Sequence, residues 1–159
     1  MPKRELKDLA KLGREFWRKL GNTMVGKVKK RTEQGKGVDG DFKAYSKEYA
    51  KAKAAGKTIS GDDQKRQSSF QTDPPNLELT GDMMRALVLL ESDANSATIG
   101  WPAFGDRMME NAEMGRAIFT DEDSATTEES DFINREIDTK IERNKREASE
   151  VRTFKIGKK

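Results

Sequence analysis

Leu, Ile, Val and Phe together supply 28 of the 159 residues, below the fifth of a chain that usually marks a self-sufficient core. The formal charge is only +3, so the chain falls between a folded domain and a polypeptide that needs neighbours. Seven Met residues add adaptable apolar filling. The expectation is one domain over residues 1–159, with partner surface burying what the isolated chain leaves exposed.

The residues that are missing exclude whole classes of chemistry. There is no Cys, hence no disulfide framework, thiolate nucleophile or Cys-ligated zinc. There is no His, which removes the usual general base and the commonest zinc ligand. The longest apolar run, Ala86 to Leu90, is far too short to cross a bilayer. The opening M-P-K-R-E-L-K-D-L-A-K mixes both charges and lacks the apolar stretch of a signal peptide, so a cytoplasmic product with no membrane partner is expected.

Charge is sorted along the chain. Residues 1–66 carry 19 Lys/Arg against 9 Asp/Glu, residues 67–142 carry 5 against 17, and residues 143–159 carry 7 against 2. Blocks of opposite sign suit head-to-tail contacts between identical copies, which close into rings when the rotation allows. Each cluster taken alone also reads as a solvated face. A further reading is sequence-blind contact of Lys27, Lys29, Lys30, Arg31 and Lys36 with nucleic acid phosphates.

Periodicity outlines an α+β fold. Leu9, Leu12, Phe16, Leu20, Met24 and Val28 recur every three or four residues and predict a long N-terminal amphipathic helix from about Arg4 to Arg31, weakened at Gly13, Gly21 and Gly26. Ser46 is placed to cap a short helix from Lys47 to about Ala55. Lys57 to Asn76 is polar, lacks periodicity and ends in Pro74-Pro75, which predicts a flexible arm, free in the isolated protein or ordered on assembly. Thr80 caps a turn of helix carrying Met83, Met84 and Leu87. A β-hairpin, or small antiparallel sheet, pairs Val88–Glu91 with Ala97–Trp101. A helix then runs from Phe104 to about Gly115. Ile133, Ile137 and Ile141 mark a long C-terminal helix from about Thr127 to Ser149 with a narrow apolar stripe. The tail, 150–159, reads as an added strand pairing with a neighbour or as an untethered end.

Three patterns invite chemical readings. Gly35 to Gly40 spells G-x-G-x-x-G, but the element before it is a helix, and a dinucleotide site needs a strand there. Asp121, Asp123 and Glu129 resemble a calcium loop, yet Thr126 stands where the turn Gly belongs and Phe132 where the closing Glu belongs. Asp106 with Asp138-Thr139-Lys140 gives a crude metal-nuclease spacing, but the pair two apart lies on a helix, where the side chains diverge. No catalytic, metal-binding or cofactor-binding set is assigned, and no enzyme is expected.

Three signatures in fixed order carry the functional expectation: V-D-G-D-F-K-A-Y-S-K-E-Y (38–49), L-T-G-D-M-M-R-A-L with T-I-G-W (79–101), and F-G-D-R-M-M-E-N-A-E-M-G-R-A-I-F (104–119). Together they resemble the tailed-phage virion-morphogenesis proteins, a group of tail-completion, neck and head-tail joining components. Where that family often has His before the Gly of the third signature and Pro before the Arg, this chain has Asn111, Glu113 and Gly115. The resemblance implies a structural virion protein, assembled in the host cytoplasm into a ring of six copies, or of twelve. Its partners would be itself, other neck or tail proteins and DNA passing through the channel. It also implies that Phe42, Tyr45, Trp101, Phe104 and Arg116 hold the core or the assembly interfaces. Lys27, Lys29, Lys30 and Arg31 are candidates for an acidic partner or the DNA channel. The alternative is a small non-specific DNA-binding accessory protein using the basic N-terminal helix.

Overall fold

The computed structural model describes residues 11–77, 81–119 and 125–153, with side chains up to residue 149. The fold is α+β. Its elements run α1 (Arg14–Glu33), β1 (Lys36–Gly37), β2 (Gly40–Asp41), α2 (Lys47–Ala54), α3 (Asp82–Arg85), β3 (Val88–Ser92), β4 (Ala97–Gly100), α4 (Gly105–Glu113) and α5 (Thr127–Thr153). Two separate antiparallel ladders form, β1 with β2 and β3 with β4.

The apolar stripe of α1 lies on the β3–β4 hairpin. Gly21 makes this approach possible, since a Cβ there would stand 2.6 Å from Leu89 Cδ1 and 3.1 Å from Ala97 Cβ. Trp17 Nε1 donates to the Ala94 carbonyl at the hairpin tip, 3.1 Å away. At the other end of the hairpin, Trp101 Nε1 donates to the Met83 carbonyl at 2.8 Å. The turn between the strands is closed by Asp93, whose carboxylate accepts from the backbone N–H of Asn95 and Ser96 at 2.7 and 2.8 Å.

Val28, Phe42, Met83, Met84, Leu87 and Ile118 form the buried core, fringed by Val25, Leu77, Ile99, Trp101, Phe104, Met108 and Phe119. Full burial of a side chain such as Leu87 or Ile118 stabilises by about 1.5–3 kcal/mol. Val28 comes from α1, Met83, Met84 and Leu87 from α3 and the stretch just after it, and Phe42 and Ile118 from the connections, so the few apolar residues converge from segments distant in sequence.

Several boundaries differ from expectation. α1 starts at Arg14 after Gly13 in a left-handed conformation (φ 81°), so Leu12 is not helical, and the first ten residues lie outside the description. The G-x-G-x-x-G stretch forms the small β1–β2 hairpin. A side chain at Gly37 would collide with the Ala117 carbonyl oxygen, which explains that glycine by packing. Ser46 caps α2 as expected, accepting from Tyr49 N at 3.2 Å. The proposed cap Thr80 lies outside the described residues; Gly81 precedes α3. α5 extends through Thr153, so Val151 to Thr153 are helical where a strand was one alternative, and residues 154–159 lie outside the description.

Residues 58–77 form no helix or strand, in keeping with their lack of periodicity. They are nevertheless tied to the body. Gln67 Nε2 donates to the Lys53 carbonyl at 2.6 Å, Gln71 Nε2 donates to the Glu33 carbonyl at 2.9 Å, and Lys53 Nζ donates to Asn76 Oδ1 at 2.8 Å. Amide side chains thus do the work that apolar ones would do in a richer sequence. Ile59 and Phe70 stay exposed.

Candidate interaction sites around two buried arginines

Arg31 sits in the last turn of α1, and its guanidinium points inward. Nε donates to Glu129 Oε1 at 2.8 Å, Nη2 to the Ile118 carbonyl at 2.9 Å and Nη1 to the Lys36 carbonyl at 3.3 Å. The Phe119 ring lies beneath it at 5.6 Å. Glu129 is held for this pairing by a reciprocal capping box: Thr126 N donates to Glu129 Oε2 at 2.9 Å, and Glu129 N donates to Thr126 Oγ1 at 3.2 Å. One carboxylate therefore starts α5 and docks it on α1.

This overturns Arg31 as a surface contact. It is only 8% exposed and serves the interior. Lys27 places its ammonium 4.2 Å from the centroid of the Phe132 ring, a second tie between α1 and α5. Lys29 is half-buried and Lys30 exposed. Lys27, Lys30 and Lys36 line a groove of about 630 Å³ whose other wall carries Asp39, Glu128 and Glu129, so the basic block faces carboxylates of its own chain.

Arg116 is built differently. α4 ends in a Schellman motif: Gly115 N donates to the Ala112 carbonyl and Arg116 N to the Asn111 carbonyl, both at 2.9 Å. Gly115 supplies the left-handed backbone (φ 74°) that this turn requires. The chain reverses, Lys43 N donates to the Gly115 carbonyl at 3.1 Å, and Arg116 folds over the Tyr45 ring at 5.0 Å. Its Nε donates to the Lys43 carbonyl at 3.1 Å, and Nη1 meets the Met114 sulfur at 3.8 Å. The Lys53 ammonium also lies over the Tyr45 ring at 4.9 Å, and Tyr49 packs edge-on against it at 4.9 Å. Burial pushes the Tyr45 and Tyr49 phenols above their ordinary value, so both remain neutral hydrogen-bonding groups near pH 7.

Beside this cluster opens a cleft of about 510 Å³, lined by Tyr45, Tyr49, Ile59, Leu77, Met83 and Met114 as walls and by Arg107 and Arg116 as charges. The Arg107 guanidinium lies 5.6 Å from the centroid of the Phe104 ring.

The other expected residues fall around the same core. Phe42 is inside it; Trp101 and Phe104 pack on its edge. Trp101 also stacks at a tilt on Phe119, 5.5 Å away. Phe104 and Leu77 both hold left-handed backbone (φ 74° and 54°), a conformation costing roughly 1 kcal/mol or more for a residue with a Cβ. The Leu77 N–H donates to Tyr45 Oη at 3.0 Å, which helps hold that turn in place. Tyr45 and Arg116 thus form one wall of the cleft, while Phe42, Trp101 and Phe104 support it from the core.

Four contributors escaped the sequence. Glu129 had a usable signal, the T-x-x-E spacing of Thr126 to Glu129. Lys53 and Asn76 had none, because the residues they meet lie far away or on irregular backbone, and Arg107 had none because its place at the cleft depends on packing between distant segments. Compared with family models, characterised proteins and solved structures, the chain matches none.

Proposed function

We propose that the protein is a structural subunit of a tailed-phage virion that completes the tail or joins tail to head, working as a ring of identical copies, six by the family resemblance. The observation that carries this is α5. It is 27 residues long, or roughly 40 Å at the helical rise. Among the described residues, no apolar side chain of α5 joins the core. Its named ties to α1, Glu129 and Phe132, fall in the first two turns. The row Ile133, Ile137 and Ile141 continues beyond them. A seam of this kind on a helix that leaves its own core is suited to a second chain. The sorted charge and the ordered signatures agree with that use.

The alternative, sequence-blind duplex binding through α1, keeps Lys29 and Lys30 but loses Arg31 to the interior. Native mass spectrometry of the full chain over a range of salt separates the two. Closed oligomers, together with the protein's presence in purified particles and loss of tail attachment when it is deleted, support assembly. A monomer at every concentration that binds any duplex with a steep salt dependence overturns it.

A further inference from the structure

We infer that the cleft between α2, α4 and the turn before α3 is a carboxylate receptor, and that its occupant is the acidic run Asp121-Glu122-Asp123 of a second copy. The inference rests on the assembly proposed above and names its contact. Arg116 is more than nine-tenths buried, at 8% exposure, and lines the cleft. Its polar partners are a backbone carbonyl and a thioether. Among the described residues no carboxylate pairs with Arg116 or Arg107, and the cleft lining contains neither Asp nor Glu.

A buried guanidinium without a counter-ion is unfavourable unless something supplies one. Here its planar fork is already ordered on Tyr45, so a carboxylate entering the cleft meets a preorganised donor. Arg107 stands at the same opening as a second donor. Tyr45, Tyr49 and Asn111 add neutral hydrogen-bonding groups, and Met114 and Ile59, 47% and 63% exposed, offer apolar cover for the backbone of an incoming segment. Residues 121–123 are the only three consecutive acidic residues in the chain, which makes them its densest source of carboxylate. Supplied by a neighbour, they turn the acidic block of one copy toward a cationic cleft of the next, a head-to-tail contact.

The test titrates the full chain with a peptide of residues 120–126, T-D-E-D-S-A-T, and with the same peptide carrying Asn, Gln and Asn at positions 121–123, followed by calorimetry. Binding of the acidic peptide alone, weakened at least about tenfold by Arg107→Gln and abolished by Arg116→Gln, is expected. Equal binding of both peptides, or no effect of Arg107→Gln, overturns the inference. Arg107 is exposed on α4, so its variant decides the matter even where Arg116→Gln fails to fold. A short DNA duplex that displaces the peptide with the same Arg107 dependence also overturns it, in favour of nucleic acid. Oligomers that persist unchanged in Arg107→Gln sink the cleft contact and leave the assembly reading standing. A permanently monomeric chain that still captures the acidic peptide supports the cleft and removes the ring.

Discussion

Arg31 and Arg116 are equally hidden, each 8% exposed, yet their surroundings have opposite completeness. Around Arg31 a carboxylate and two backbone carbonyls satisfy the guanidinium, and the result is internal: α5 is fastened to α1. Around Arg116 an aromatic face, one carbonyl and a sulfur hold the group in place, and among the described residues no carboxylate matches its charge beside the cleft. A buried cation can therefore close a fold or hold a surface ready for a partner, and its counter-ion tells which.

The largest expected effect comes from unbalancing the satisfied side. Glu129→Gln leaves Arg31 buried without its anion and should destabilise by about 3–5 kcal/mol, read from urea unfolding. Replacing both partners, Arg31→Met with Glu129→Leu, should recover much of that loss. A single variant within about 1 kcal/mol of wild type would break the comparison.

Arg116→Met is the matched experiment on the open side. No carboxylate is orphaned by it, so the cost should be only about 1 kcal/mol, that of a lost hydrogen bond and a ring contact. If it proves as costly as Glu129→Gln, then Arg116 serves the fold in the same way as Arg31. Smaller still, Arg107→Gln should lie within about 0.5 kcal/mol of wild type in stability. Thermal unfolding that drops well beyond this range would place Arg107 in the framework instead of at the cleft.

The smallest effect provides a control from an exposed acid. Hydrogen bonds from the Asn95 and Ser96 N–H groups hold the Asp93 carboxyl below its ordinary value. With the folded-state pKa depressed, Asp93 contributes stability above the ordinary carboxylate range and loses it as pH falls through the lowered value. Asp93→Asn should therefore lower the melting temperature slightly near neutral pH and converge on wild type in acid, which flattens the acid side of the profile. An acid limb that keeps its slope would show that the turn carboxylate does not contribute.

Much of the architecture was legible because it depends on local periodicity and punctuation. The stripe in α1, the Ser46 cap, the 88–101 hairpin and the end of α4 near Gly115 all follow from neighbours within a few residues. Of the residues that the resemblance singled out, Phe42 lies in the core and Trp101 and Phe104 pack against it, while Tyr45 and Arg116 line the cleft. Arg31 was misassigned for a simple reason: a cation inside a run of lysines looks exposed, and the anion that draws it inward is Glu129, 98 residues away. In the stretch 57–76 the ties to the body run through Gln and Asn side chains, which leave no apolar pattern in the sequence.

The sequence by itself determined the α+β alternation, the thin core, the absence of His and Cys chemistry and the sorting of charge, because these are properties of composition and short-range order. Only the tertiary structure decided which buried arginine has a counter-ion and which, among the described residues, faces a cleft without one. The difference lies in where distant segments bring their carboxylates, and electrostatics inside a protein is set by distances through space, which neighbours along the chain do not fix.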